Sequence, residues 1–245
     1  MFSRLLIISV LGLASLSVNS QISFINSGQA IGQAGEYCGA SGDIDGDGDI
    51  DLISGRWVGT LLIMKNDGLG VFSTSQSLPS ATHSGQTLAD LDGDTDLDLI
   101  AAIEGGTGTK VYLNDGTGNF TVTPDVFPTG NWAAVGDFDG DSDIDFVLTS
   151  RSGAADQIWL NNGTGSFSAG SVLIGNNGGI GCEAADLDGD LDLDLVVRGN
   201  SGNAQVWFND GFASFTQSPQ SFAAGKPNIA DLDGDGDMDF IVFDV

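Results

Sequence analysis

Residues 43–51 read DIDGDGDID, with an aspartate at every odd position of a nine-residue stretch. The pattern returns as DLDGDTDLD at 90–98, DFDGDSDID at 137–145, DLDGDLDLD at 186–194 and DLDGDGDMD at 231–239. The first aspartates are separated by 47, 47, 49 and 45 residues. A second motif keeps phase with the first: KNDGLGVF ends at Phe72, LNDGTGNF at Phe120, LNNGTGSF at Phe167 and FNDGFASF at Phe215. Two motifs in constant phase define an internal repeat, and a period of this length marks an array of like units.

Each unit reads as four short strands. The first is small and apolar, as in QTLAD (86–90) and AAVGD (133–137), and runs into the acidic stretch. The second follows it as DLISG, DLIAAI, DFVLT, DLVVR and DFIVF. The third is TLLIM, KVYL, QIWL or QVWF, and the fourth begins at the repeated Phe. Asn-Asp-Gly or Asn-Asn-Gly between the third and fourth supplies the positive-φ residues of a tight hairpin. Beyond the N-terminal apolar run, no segment shows a 3.6-residue apolar period. The expectation is an all-β chain: a β-propeller of four-stranded antiparallel blades, about five repeats with the last incomplete. A β-solenoid is the alternative, but its repeats are usually shorter.

Five carboxylates within nine residues repel one another, and no cationic side chain stands locally to offset them. A hard cation removes the conflict, and calcium accepts six to eight oxygens in flexible geometry. The candidate metal residues are Asp43, Asp45, Asp47, Asp49 and Asp51; Asp90, Asp92, Asp94, Asp96 and Asp98; Asp137, Asp139, Asp141, Asp143 and Asp145; Asp186, Asp188, Asp190, Asp192 and Asp194; and Asp231, Asp233, Asp235, Asp237 and Asp239. Side chains at positions 1, 3, 5 and 9 are expected to ligate, with a backbone carbonyl at position 7, giving about one Ca2+ per loop and up to five. Magnesium demands a stricter octahedron and ranks second. Zinc is disfavoured by one His and two separated Cys. Metal-free surface turns are the plain alternative, but a turn needs one or two aspartates rather than five in register.

Position 4 is Gly in every loop, whereas position 6 is Gly48, Thr95, Ser142, Leu191 and Gly236. Leu191 is awkward if position 6 needs positive φ, so the fourth site is expected to be weaker. The loops do not fit an EF-hand, because position 12 is Ser54, Ala101, Leu148, Val197 and Val242 where the bidentate Glu belongs.

The composition agrees with sites rather than a uniformly acidic surface. The 245 residues carry 34 acids against 7 Lys and Arg, a formal charge of -27. Twenty-five of the acids lie in the five clusters, and outside them 9 acids face 7 bases. Such a chain repels phosphate backbones and anionic lipid, which argues against a nucleic-acid partner. A 41% hydrophobic content is too high for a disordered polyelectrolyte. The N-terminus, MFSRLLIISVLGLASLSVNS, has one basic residue, a short apolar run and small residues, and reads as a signal peptide over 1–20. The mature chain, 21–245, is expected to be secreted or held at the cell surface, with no membrane span. Cys38 and Cys182 are too few for a disulfide scaffold, and their opposite parity along the first strand argues against pairing.

The doubled motif, DxDGDxDxD with an apolar strand and then N(D/N)GxxxF, resembles the FG-GAP/VCBS repeat family, best known from the propellers of integrin α subunits. The resemblance covers roughly residues 22–245. It implies a calcium-stabilised propeller with cations in the loops joining strands one and two, and relatives that include adhesion receptors, lectin-like modules and accessory domains of polysaccharide-degrading enzymes. QISFINSG (21–28) matches a fourth strand, while DFIVFDV at the C-terminus is a second strand with no third after it. Five complete blades are therefore not written here, and truncation at the C-terminus is the expectation.

Residues that obey the repeat are expected to be structural, among them Tyr112, Trp159 and Trp207 in strand three. Residues that break it are candidates for recognition: Trp57, His83, Glu104, Trp132, Arg151 and Arg198, on loops and strand ends away from the acidic face. Aromatic rings beside Arg and carboxylates stack on sugars or anchor a protein. For each of them, interblade packing or a solvated loop is the structural alternative. The sequons Asn119-Phe-Thr and Asn162-Gly-Thr are explained by turn chemistry. The expected function is a non-enzymatic, calcium-binding module for adhesion or for glycan or protein recognition. A polysaccharide lyase or hydrolase using His83, Glu104 or Arg151 is the alternative, without a nucleophile–base pair to support it.

Overall fold

The computed structural model describes residues 28, 29, 31, 36–56, 59–79, 82–151, 154–173, 179–199 and 203–243. The expected signal segment, and residues 21–27 of the expected fourth strand, lie outside them. All described strands belong to the unit that runs from Ile31 to Val245. The first sheet comprises β1 (Glu36–Gly42), β2 (Asp51–Arg56), β3 (Leu61–Asn66) and β4 (Phe72–Leu78). The second comprises β5 (Thr82–Ala89), β6 (Asp98–Gly105), β7 (Lys110–Asn114) and β8 (Phe120–Val122). The third holds β9 (Trp132–Gly136), β10 (Asp145–Thr149), β11 (Asp156–Asn161) and β12 (Phe167–Leu173). The fourth holds β13 (Gly179–Ala185), β14 (Asp194–Gly199), β15 (Asn203–Phe208) and β16 (Thr216–Ala224). β17 (Lys226–Ala230) and β18 (Asp239–Phe243) form a two-stranded fifth sheet.

Within each sheet the strands follow chain order and pair antiparallel, as in a propeller blade. The acidic stretches are the loops between first and second strands. Ala89 pairs with Asp98 and Gly136 with Asp145, so the loop closes on its own ninth residue. The second strands β6, β10 and β14 are near-continuous apolar runs because both of their faces are covered. In β10, Phe146 and Leu148 pack toward the second blade with Ile100, Ala102 and Val111, while Val147 packs toward the fourth with Leu195 and Val197. The core thus lies between the sheets, one cluster for each successive pair of blades. Tyr112 and Trp207 are buried, and Trp159 stands edge-on to Phe127 at 5.0 Å, as their repeated position predicts. Cys182 is a free, buried thiol, pushed well above its ordinary pKa by burial.

The link between strands three and four is a five-residue loop: Asn66 pairs with Phe72, and Asp67 N–H donates to Val71 O at 3.2 Å. Positive φ falls on Gly68 and Gly70, not on the asparagine. The Asp67 carboxylate instead accepts from Leu69 N–H and Val71 N–H, bracing the loop from within. The two sequons serve the equivalent turns: Asn119 donates to Asp115 and Thr117, and Asn162 accepts from Thr164.

Candidate functional site

The acidic loops are built by their own carboxylates. In the second loop, Asp90 accepts from Gly93 N–H and Thr95 N–H, and Asp94 accepts from Asp96 N–H. Asp98 closes the loop by accepting from Leu91 N–H at 2.8 Å through one oxygen, and from Asn114 N–H at 2.8 Å through the other. Asn114 opens the second sequence motif, so this one aspartate ties the two motifs of a repeat together. The pattern recurs with Asp51 and Asn66, Asp145 and Asn161, and Asp194 and Asn209. The asparagine then reaches to the preceding blade. Asn114 Nδ2 donates to Ile44 O at 2.7 Å, Asn161 Nδ2 to Leu91 O at 2.7 Å and Asn209 Nδ2 to Phe138 O at 2.9 Å. Position 2 of the first three loops is thereby latched to the next blade.

Position 6 takes positive φ in every loop, 78° at Leu191 as at Thr95. Loop geometry therefore overrides the side chain's reluctance, and the fourth loop keeps the shape of the others at a cost in backbone strain.

Carboxylate oxygens converge within 4.8 Å in each loop: Asp43, Asp45 and Asp51; Asp90, Asp92 and Asp94; Asp137, Asp139 and Asp145; Asp186, Asp188 and Asp194; Asp231, Asp233 and Asp239. Positions 1 and 3 take part throughout, position 9 in four loops and position 5 in one. The position-7 side chains lean instead against the hairpin glycine; a Cβ on Gly163 would lie 2.7 Å from Asp143 Oδ2. Asp45 Oδ1, Asp92 Oδ1 and Asp139 Oδ1 are buried with no hydrogen-bond partner. Burial, opposed by the two backbone donors and reinforced by neighbouring carboxylates, pushes Asp98 and Asp145 up to about 6. Burial likewise raises Asp92 and Asp139. An all-oxygen donor set with orphaned buried oxygens suits a hard divalent cation. One expectation is corrected here: a cationic side chain does reach an acidic loop. Lys65 Nζ lies 3.2 Å from Asp45 Oδ2.

Trp57 and the side chain of His83 lie outside the described residues; the His83 backbone sits between two register shifts in β5. Glu104 and Arg151 are brought together across the second and third blades, Nη1 to Oε1 at 3.6 Å. Trp132 opens β9, and Lys226 Nζ stands 4.3 Å above its ring, a partner that sequence reasoning did not single out. Arg198 Nε is buried without a hydrogen-bond partner.

Sequence reasoning also missed a groove of about 790 Å3 between the outer strands β4 and β8, lined by Gln76, Pro79, Lys110, Tyr112, Val122 and Asp125. It opens where β8 stops after three residues, against seven in β4. Pro124 and Pro128, which cannot donate to a strand ladder, were the available signal. Gln76 fixes the inner wall, its amide donating to Phe120 O and accepting from Phe120 N–H at 2.9 Å each.

The model of the FG-GAP-like repeat matches residues 43–101, 90–148, 137–197 and 186–242, each match spanning two successive acidic loops. The chain belongs to the FG-GAP-like repeat family. No curated protein sequence matches this FG-GAP chain. Among solved structures it is similar to an Agrocybe aegerita lectin that recognises non-reducing terminal N-acetylglucosamine, with a TM-score of 0.51 and 24% identity over 75% of this chain and 50% of that one. The V. cholerae biofilm matrix protein Bap1 aligns with a TM-score of 0.53 and 21% identity, over 79% of this chain and 30% of that one. BBS1N, solved in complex with ARL6DN, aligns with a TM-score of 0.54 and 16% identity, over 78% and 59%. The FG-GAP chain thus spans 30% to 59% of the length of these three structures, and what it shares with them is the fold. Among the described residues, no helix is long and apolar enough to cross a membrane.

Proposed function

We propose that this FG-GAP-repeat protein is a secreted, non-enzymatic recognition module, held rigid by calcium in its acidic loops, that binds glycan in an adhesive setting. One observation carries the reading: in three successive loops a position-3 carboxylate oxygen is buried without a partner beside other carboxylates. A divalent ion satisfies that oxygen and neutralises its neighbours at once. Extracellular calcium modules bind with Kd on the order of 0.1–1 mM, which suits a structural ion outside the cell. Glycan recognition draws support from the groove, whose lining sets apolar Pro79 and Val122 and the Tyr112 ring beside polar side chains such as Thr107, Lys110 and Asp125, a mixture that fits a sugar ring. Two proteins of the same fold, the Agrocybe lectin and the biofilm matrix protein, have names that agree with it.

The test has two arms. Adding EGTA to the protein loaded with calcium about tenfold above Kd is expected to lower Tm by at least about 10 °C, since several ions each contribute roughly 1.4 kcal/mol. An unchanged melt, with no calcium found by elemental analysis, rejects the calcium arm. On a glycan array the loaded protein is expected to bind a discrete set of sugars, with loss of signal on Lys110→Ala. Silence across the array rejects the recognition arm.

A further inference from the structure

The residue before the motif asparagine is Leu113, Leu160 and Phe208 in three of the repeats, but Lys65 in the first. Lys65 and Leu113 fill the same slot. A Cβ on Gly118 would lie 2.7 Å from Lys65 Cε and 3.6 Å from Asp45 Cβ. One blade further on, a Cβ on Gly165 would lie 2.8 Å from Leu113 Cδ2 and 3.5 Å from Asp92 Cβ. Only the tip differs. Lys65 Nζ pairs with Asp45 Oδ2 at 3.2 Å and donates to Thr117 O in the hairpin of the second blade. Asp45 belongs to the carboxylate triad of the first loop, and its other oxygen, Oδ1, is the orphaned one.

We propose that Lys65 is an affinity-determining residue: a tethered ammonium that makes the first acidic loop the weakest of the four cation sites closed by a third and fourth strand, and that holds the first two blades together while that site lacks its ion. This rests on the calcium reading above. The two loops face their ions with different charges. In the second loop the wall beside Asp92 is a hydrocarbon, and a divalent ion meets only carboxylates. In the first loop it meets the same carboxylates with a fixed positive charge against one of them. A unit charge a few ångströms from a divalent ion costs it about tenfold in affinity even at a water-like dielectric. The ammonium also anchors the interblade contact through Thr117 O, so the first pair of blades depends less on metal than the second pair does.

Calorimetric calcium titration of the full chain tests this, with Lys65→Leu as the main variant. The native protein is expected to show one binding step weaker than the rest. In Lys65→Leu that step is expected to tighten about tenfold with the ion count unchanged, and Tm in EGTA is expected to fall. Leu113→Lys is the converse: it is expected to create a second weak step. Lys65→Met supplies the same comparison if the Leu variant does not fold. Calcium steps identical in native protein and Lys65 variants overturn this proposal and leave the calcium reading standing. No calcium binding by any of the proteins overturns both.

Discussion

Asp98 and Asp239 hold the same position of the same nine-residue motif and live in different surroundings. Asp98 has no exposed surface, accepts two backbone N–H groups from different parts of its blade, and has its carboxyl pushed up to about 6 by burial. The third blade seals the loop from outside, through Asn161 Nδ2 on Leu91 O. Asp239 accepts from Leu232 N–H at 3.1 Å and keeps contact with solvent, in a sheet of two strands. Both loops still make the internal bonds of the turn, from Asp231 to Gly234 and Gly236 as from Asp90 to Gly93 and Thr95. The motif builds its turn alone. Its burial comes from a third strand, a hairpin asparagine and the next blade.

The sharpest way to break this contrast is to remove each carboxylate. Asp98→Ala strands two buried N–H donors and is expected to cost about 3 kcal/mol or more by urea unfolding in EGTA, against less than about 1 kcal/mol for Asp239→Ala. Equal losses would mean that the surrounding blade adds nothing to the turn.

A smaller effect follows from protonation. Asp98 and Asp145 titrate near 6 when folded against an ordinary 3.8, so between those values the folded chain holds protons that the unfolded chain has released. The increment of metal-free stability that these two protons confer is therefore full below about 3.8 and is lost as pH rises through about 6; melting in EGTA should be about 5 °C higher at pH 5 than at pH 7.5. Calcium should reverse the trend, because the ion needs ionised ligands. A metal-free protein that melts higher at pH 7.5 would show that the buried carboxylates lack the cost assigned to them.

The smallest effect concerns position 6. Leu191 is 88% exposed and held at a φ of 78°, where Gly48 and Gly236 stand in the first and fifth loops. Leu191→Gly relieves the left-handed strain and should stabilise the protein by up to about 1 kcal/mol, net of the glycine's extra entropy. Destabilisation would show that the exposed leucine makes a contact worth more than the strain.

Much of this was legible beforehand because it is local. The spacing of Asp90, Asp92, Asp94, Asp96 and Asp98, the apolar run behind it and the repeated Phe120 give strand starts correct to a residue in most repeats; β16 starts at Thr216, one past Phe215. The role of Asn114 was not legible, since its amide acts on Ile44 O, 70 residues away. Lys65 was passed over for the same reason: it stands 20 residues from Asp45 and meets it only after β3 folds back beside its own acidic loop. Subtraction from the repeat singled out Glu104, Arg151 and Trp132 one by one, yet it could not pair Glu104 with Arg151, or Trp132 with Lys226, which lies in another sheet.

Sequence alone determined that this protein is a run of like β-units with carboxylate-built turns, because strand alternation, turn stereochemistry and charge crowding act over a few bonds. Tertiary structure alone decided which carboxylates lose their water, which loop receives an ammonium, and where a shortened outer strand leaves a groove. Those outcomes depend on which blade stands next to which, and desolvation has no counterpart in the order of residues along the chain.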